Sequence, residues 1–126
     1  MSAGNKYGNK KVTIGGMTFD SKKECDRYYE LKLLERAGKI RDLQRQVRIE
    51  LIPAQYETYE RYSKKTGERL PDGRRCVEKA VYYVADFVYW EGDQKIAEDA
   101  KGFKTREYII KRKLMRYLHG CVLRET

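Results

Sequence analysis

The chain has 126 residues, 40% of them hydrophobic and 37% charged, with a formal net charge of +9. That length suits one domain with a real core but not two, and the lack of an apolar run of about 18 residues excludes a transmembrane helix. A single histidine, His119, and three widely spaced cysteines, Cys25, Cys76 and Cys121, give no zinc-ligand spacing and remove hydrolases built on several histidines. Three reduced thiols in a cytoplasmic protein are expected. The positive balance suits a polyanion, nucleic acid before a membrane surface. The 11 tyrosines can stack on bases or bond phosphate as well as fill a core.

Residues 1–11 read as a flexible basic arm without the apolar stretch of a secretion signal. Val12, Ile14, Met17 and Phe19 around Gly15-Gly16 suggest a small hairpin or an extended lead-in. Ser21 and Glu24 have capping-box spacing and Gly38 supplies a stop, so a helix is predicted between them. Glu24, Tyr28 and Leu31 share its inward face. From Leu43 to Leu51 the pattern alternates, with Leu43, Val47, Ile49 and Leu51 on one face and Gln44, Gln46, Arg48 and Glu50 on the other. That is a half-buried strand, ended by Pro53. Residues 54–76 carry Tyr56, Tyr59, Tyr62 and a turn signal at Pro71-Asp72-Gly73, and read as a surface excursion or a projecting hairpin, with disorder as the competing reading.

Val77 to Trp90 has the composition of a central strand. Gly92-Asp93 is a type II′ hairpin signal, and Lys95 to Lys101 is the returning strand. A second helix is predicted from Thr105 to His119, stopped by Gly120, with Cys121 to Leu123 as a short closing strand. Residues 12–126 thus read as one domain of the α/β class, an α+β arrangement with a mixed sheet in the order α-β-β-β-α-β.

The hairpin carries the chemistry. With Gly92-Asp93 as the turn, Glu91 pairs with Gln94, and continuing the ladder sets Asp86 opposite Asp99 on one face. Lys101, two residues on, shares that face. Two carboxylates across a ladder repel each other. Moreover, Asp86 lies within the apolar run Tyr82-Tyr-Val-Ala-Asp-Phe-Val-Tyr-Trp90, where an ionised acid is costly unless paired or bound to a cation. A divalent cation resolves both problems, and hard oxygen ligands with open positions suit Mg2+ or Mn2+. A buried salt bridge from Asp86 to Lys101 or an arginine is the alternative. Glu98 falls by parity with Ile96 and Ala100 on the opposite face and ranks below Asp99, an order that a one-residue bulge would reverse. Glu24 reads both as a helix cap and as a third acid reaching the metal.

Asp86 followed, after 12 intervening residues, by Asp99-Ala100-Lys101 resembles the spaced D…(D/E)xK signature of the PD-(D/E)XK nuclease superfamily, and the element order resembles its restriction-endonuclease-like core. Ala85 stands where the superfamily's motif has proline. A closer resemblance lies in Lys6-Tyr-Gly-Asn-Lys10, Phe19-Asp-Ser-Lys-Lys-Glu24, Leu31-Lys-Leu-Leu-Glu-Arg-Ala-Gly38, Tyr83-Val-Ala-Asp-Phe-Val-Tyr89 and Glu98-Asp-Ala-Lys-Gly-Phe-Lys-Thr105. These look like a small phage and prophage family of unknown function that is grouped with such nucleases and with Holliday-junction resolvase-like enzymes. The resemblance implies Asp86, Asp99 and Lys101 as catalytic with Glu24 as the acid of the first helix, and a host-cytoplasmic location if the protein is phage-encoded.

The expected activity is therefore Mg2+- or Mn2+-dependent cleavage of DNA, structure-selective because no helix-turn-helix or zinc finger is present, with RNA left open. Asp86, Asp99 and Glu24 are the expected metal ligands. Phosphate contacts are expected from Lys104, Arg106, Lys111, Arg112, Lys113 and Arg116, and from Lys10, Lys11, Lys22 and Lys23 near Glu24. A homodimer is expected if both strands are cut. The alternatives are a non-catalytic nucleic-acid-binding module and a phage accessory protein on the same fold.

Overall fold

The computed structural model describes residues 10–99 and 105–125. Lys101 and Lys104 lie outside the described residues, as do residues 1–9 of the expected arm. The chain divides into two compact units, residues 1–48 with 84–126, and residues 49–83. Together the described elements make an α+β fold.

In the first unit, β1 (Val12–Ile14) and β2 (Met17–Phe19) pair as a small antiparallel hairpin. Helix α1 (Lys22–Arg36) starts at Ser21, whose hydroxyl accepts from the Glu24 amide at 3.1 Å, the cap that the spacing of these two residues requires. Its buried residues are Glu24, Cys25, Tyr28 and Leu31. Strands β3 (Arg41–Ile52), β6 (Val81–Glu91), β7 (Gln94–Asp99) and β8 (Val122–Glu125) form a four-stranded sheet in the order β3-β6-β7-β8. It is mixed, since β6 and β7 are antiparallel whereas β7 and β8 are parallel. A parallel neighbour needs a crossover, and helix α2 (Arg106–His119) lies between β7 and β8 in the chain and packs on β8. Thr105 caps its first turn and Gly120 closes its last in the left-handed conformation. The core of this unit joins Phe19, Cys25, Tyr28, Leu31 and Ile40 to Phe87, Tyr89 and Ile96 of the sheet.

The β6–β7 turn sits where the sequence places it. Gly92 takes φ 60°, the positive first central position that a type II′ turn requires. The register runs from Glu91↔Gln94 to Phe87↔Glu98.

The second unit contains β4 (Gln55–Tyr62) and β5 (Arg69–Glu78), an antiparallel ribbon. This region departs from the sequence-based expectation in two places. The chain turns at Ser63–Glu68, where the Ser63 amide donates to the Glu68 carbonyl at 2.8 Å, and not at Pro71-Asp72-Gly73. Pro71 and Asp72 sit inside β5 where the register shifts between Tyr59 and Arg61. A bulge leaves a residue unpaired, which is where a strand accepts a proline that has no N–H to donate. The continuous strand predicted from Val77 to Trp90 is broken after Glu78 and resumes at Val81.

Candidate functional site

β7 brings two acids to the same end of the sheet on opposite faces. Glu98, fully buried, pairs directly with Phe87 and so faces the α1 core. Its carboxylate accepts from the Tyr89 hydroxyl and from Arg27 Nε of α1, and Arg27 Nη2 adds a second bond at 2.9 Å. The Tyr89 oxygen in turn accepts from Arg124 Nη1 at 3.1 Å, and Arg124 pairs with Glu91 at 3.2 Å. Burial, followed by the Glu98 bond, pushes the Tyr89 phenol up to about 12, and Arg27 is held still more firmly charged by Glu98. A buried carboxylate gripped by a two-pronged arginine and a phenol is a tie between α1 and the sheet.

Asp99 is the next residue and so has the opposite parity. Asp86 and Asp99 follow immediately beyond the last paired couple, Phe87↔Glu98, which puts both acids on the face away from Glu98. Both are buried, with 6% and 4% of their surface exposed.

Glu24 is likewise buried, 2% exposed, and shares a hydrogen-bond donor with Asp86. The Gln46 side-chain amide donates to Glu24 Oε1 at 2.9 Å and to Asp86 Oδ1 at 3.3 Å. Glu24 Oε2 accepts from the Asp20 amide at 3.3 Å, and Arg45 stands 3.8 Å from Oε1. The Arg45 guanidinium is itself held over the Phe19 ring, 4.1 Å from its centroid. Gln46 reaches the acids because its backbone departs from the strand pattern, with φ 49°. Gln46 as a residue is exposed, although its bonds to the acids are partly buried.

Glu125 of β8 and Tyr108 of α2 are neighbours of Asp99. Asp99 pairs with Glu125, and the Tyr108 hydroxyl donates to Glu125 Oε1 at 2.9 Å. Burial, then the Glu125 bond and charge, then the Asp99 charge, raise the Tyr108 pKa, so the phenol keeps its proton.

Of the expected site residues, the structure brings Glu24 and Asp86 together through Gln46 and sets Asp99 on the face of Asp86. Among the described residues, no three His, Cys, Asp or Glu side chains converge as a ready cation cage. Gln46, Glu125 and Tyr108 were not expected at the site. A glutamine on the polar face of an alternating strand looks like any solvent-facing residue, and Glu125 lies past the predicted end of the last strand.

The basic residues sort into committed and uncommitted. Lys111 pairs with Glu107 at 2.9 Å and Arg112 with Glu125 at 3.8 Å. Among the described residues, Arg106, Lys113 and Arg116 are exposed without an acidic partner within salt-bridge distance. Lys10, Lys11, Lys22 and Lys23 are exposed, the last two beside Asp26 and Glu30. Cys25 and Cys121 are buried thiols and Cys76 an exposed one. Among the described residues, no helix is long and apolar enough to cross a membrane.

Fold and site together define an α+β protein with a group of buried acids at the end of a mixed sheet. The chain belongs to the family described as protein of unknown function (DUF1064), whose model matches residues 4–123. No curated protein and no solved structure matches it.

Proposed function

We propose that the chain is a metal-dependent endonuclease of the PD-(D/E)XK type that hydrolyses phosphodiester bonds in DNA, selective for junctions or other branched structures. The observation that carries this reading is the placement of Asp86 and Asp99. Both are buried one step past the last pair of a tight hairpin, and Asp86 is joined through Gln46 to Glu24 of α1. The order α1-β3-β6-β7-α2-β8 also resembles the restriction-endonuclease-like core.

The donor set is all hard oxygen and fits Mg2+ or Mn2+. Asp86 and Asp99 would hold the ion, and Glu24 would act from farther out. When bound, such an ion supplies Lewis acidity toward the phosphate and lowers the pKa of water. Lys101, by its place in the Asp99-Ala100-Lys101 motif, would supply positive charge to offset the negative charge that develops on the phosphate oxygens. Gln46 keeps two acids that would otherwise repel each other oriented toward one side. Arg106, Lys113 and Arg116 hold the DNA backbone on α2, with Lys104 preceding that helix. Lys10, Lys11, Lys22 and Lys23 form a second phosphate track, and two copies of the chain would serve to cut two strands.

One observation favours a second reading, a non-catalytic nucleic-acid-binding or phage accessory protein on this fold. A side-chain donor of the chain itself, Gln46, already serves both Glu24 and Asp86, as a purely structural tie between these acids would require. The variant Asp86→Asn separates the two. The nuclease reading expects cleavage to be lost with DNA binding retained or improved, whereas equal turnover by the variant would remove Asp86 from the chemistry.

A further inference from the structure

The outer side of α2 carries a feature that cleavage chemistry does not use. Tyr117 is 86% exposed, although a tyrosine ring is a large apolar surface that folding normally covers at least in part. It stands on the rim of a groove of about 450 Å³ formed by α2 and the start of β8. Arg112, Lys113 and Arg116 share that groove, and Lys113 lies four residues before Tyr117, on the same face of the helix. Cys121, Val122 and Leu123 line the groove from the β8 side. Burial pushes the Cys121 thiol up, so that wall is neutral and apolar.

An aromatic ring, an apolar wall and two cations without an acidic partner among the described residues make a specific combination. A second copy of α2 would bring like charges together, so the charge selects an anion. A phosphate alone would need no aromatic ring. A nucleotide whose base is unstacked uses all three features, its base on the ring and wall and its phosphates on Lys113 and Arg116. The groove also adjoins the acids. Leu123 pairs with Ala97 two residues before Glu125 pairs with Asp99, and Arg112 on the rim reaches Glu125.

We infer that the α2–β8 groove binds an unpaired nucleotide of a single-stranded nucleic acid segment, with Tyr117 as the base-stacking platform. The inference rests on the nucleic-acid reading of the chain and supplies a reason for structure selectivity. Junctions, flaps and gaps expose unstacked bases, and intact duplex does not.

The test is equilibrium binding by fluorescence anisotropy in EDTA, so that no cleavage intervenes. The probes are a single-stranded 20-mer DNA, the same backbone with abasic residues, the corresponding RNA 20-mer, and a blunt duplex. Wild type should prefer the base-bearing strands over the abasic one. Tyr117→Ala should lose about tenfold or more on the base-bearing strands, change little on abasic strand and duplex, and thereby erase the preference. Tyr117→Phe should keep it. A loss by Tyr117→Ala that is the same on all four probes, or no loss on single strands, overturns the inference. So does an absence of binding to every probe, which removes the nucleic-acid reading with it. Base-dependent binding through Tyr117 in a protein that never cleaves DNA would leave this inference standing while the nuclease reading fails. Cleavage with binding indifferent to Tyr117 would do the reverse.

Discussion

Replacing Arg27 by methionine would take the guanidinium away from a carboxylate that water does not reach. Glu98 has no exposed surface, and the Arg27 side chain is 22% exposed, so the pair is shielded well enough for its loss to register. Removing one partner of a buried pair costs about 3–5 kcal/mol, because the remaining charge is left behind. Tyr89 continues to donate to Glu98, with Arg124 behind it, which places the expected loss at the lower end, about 3 kcal/mol. For a chain of this length that corresponds to a drop in Tm of roughly 10–15 °C. Trp90, the single tryptophan, lies in β6 next to Tyr89, and its fluorescence reports urea unfolding directly. The double variant Arg27→Met with Glu98→Leu should recover most of the loss, since no unpaired carboxylate then remains at this position and the Tyr89 oxygen still accepts from Arg124. A loss below about 1 kcal/mol for Arg27→Met, or a double variant no better than the single one, would refute the structural role given to Glu98. Glu98→Gln gives the functional counterpart. Cleavage per folded molecule should be unchanged, in contrast to Asp99→Asn, which should abolish it.

Gly92→Ala forces a side chain onto φ 60° and should cost about 1–2 kcal/mol in urea unfolding, whereas a neutral result would contradict the turn geometry. The Tyr89 pKa is raised in the folded protein to about 12, above the unfolded value of about 10. Its stabilising contribution is therefore complete below about pH 10 and lost as pH rises through about 12. The stability difference between wild type and Tyr89→Phe should accordingly be flat at neutral pH and shrink across that window, and a difference that vanishes at neutral pH would oppose it. Lys113→Ala and Arg116→Ala should each flatten the log–log salt dependence of DNA binding by about one. Lys111→Ala, already paired with Glu107, should flatten it less, and equal effects from all three would contradict the sorting of α2 charges.

Much of the first unit was legible because its signals are local. Ser21 and Glu24 announce the start of α1, Thr105 and Gly120 bracket α2, and Gly92-Asp93 fixes a turn from which the β6–β7 register follows by counting. Parity alone separates Glu98 from Asp99, and the burial of Glu98 against Arg27 and Tyr89 agrees with that separation. Legibility ended wherever a residue breaks its pattern. The alternation of β3 points Gln46 to solvent, but a positive φ at that one residue swings its amide onto Glu24 and Asp86. In 54–76 a proline next to Asp-Gly has the chemistry of a turn, yet the bulge in β5 absorbs it and the chain reverses at Ser63–Glu68. The pairing of Asp99 with Glu125 depends on a parallel crossover through α2, a long-range contact for which no short stretch of sequence carries a signal.

Cleavage of a panel of junction, flap, gapped and linear duplex DNAs, each with Mg2+ or Mn2+ and with a chelated control, addresses the chemistry of Asp86 and Asp99 most directly. Cuts in the branched substrates should appear only when the divalent ion is present, and none should come from Asp99→Asn at equal protein folding. Products that persist in chelator, or that the Asp99→Asn protein forms as fast as wild type, would contradict that chemistry.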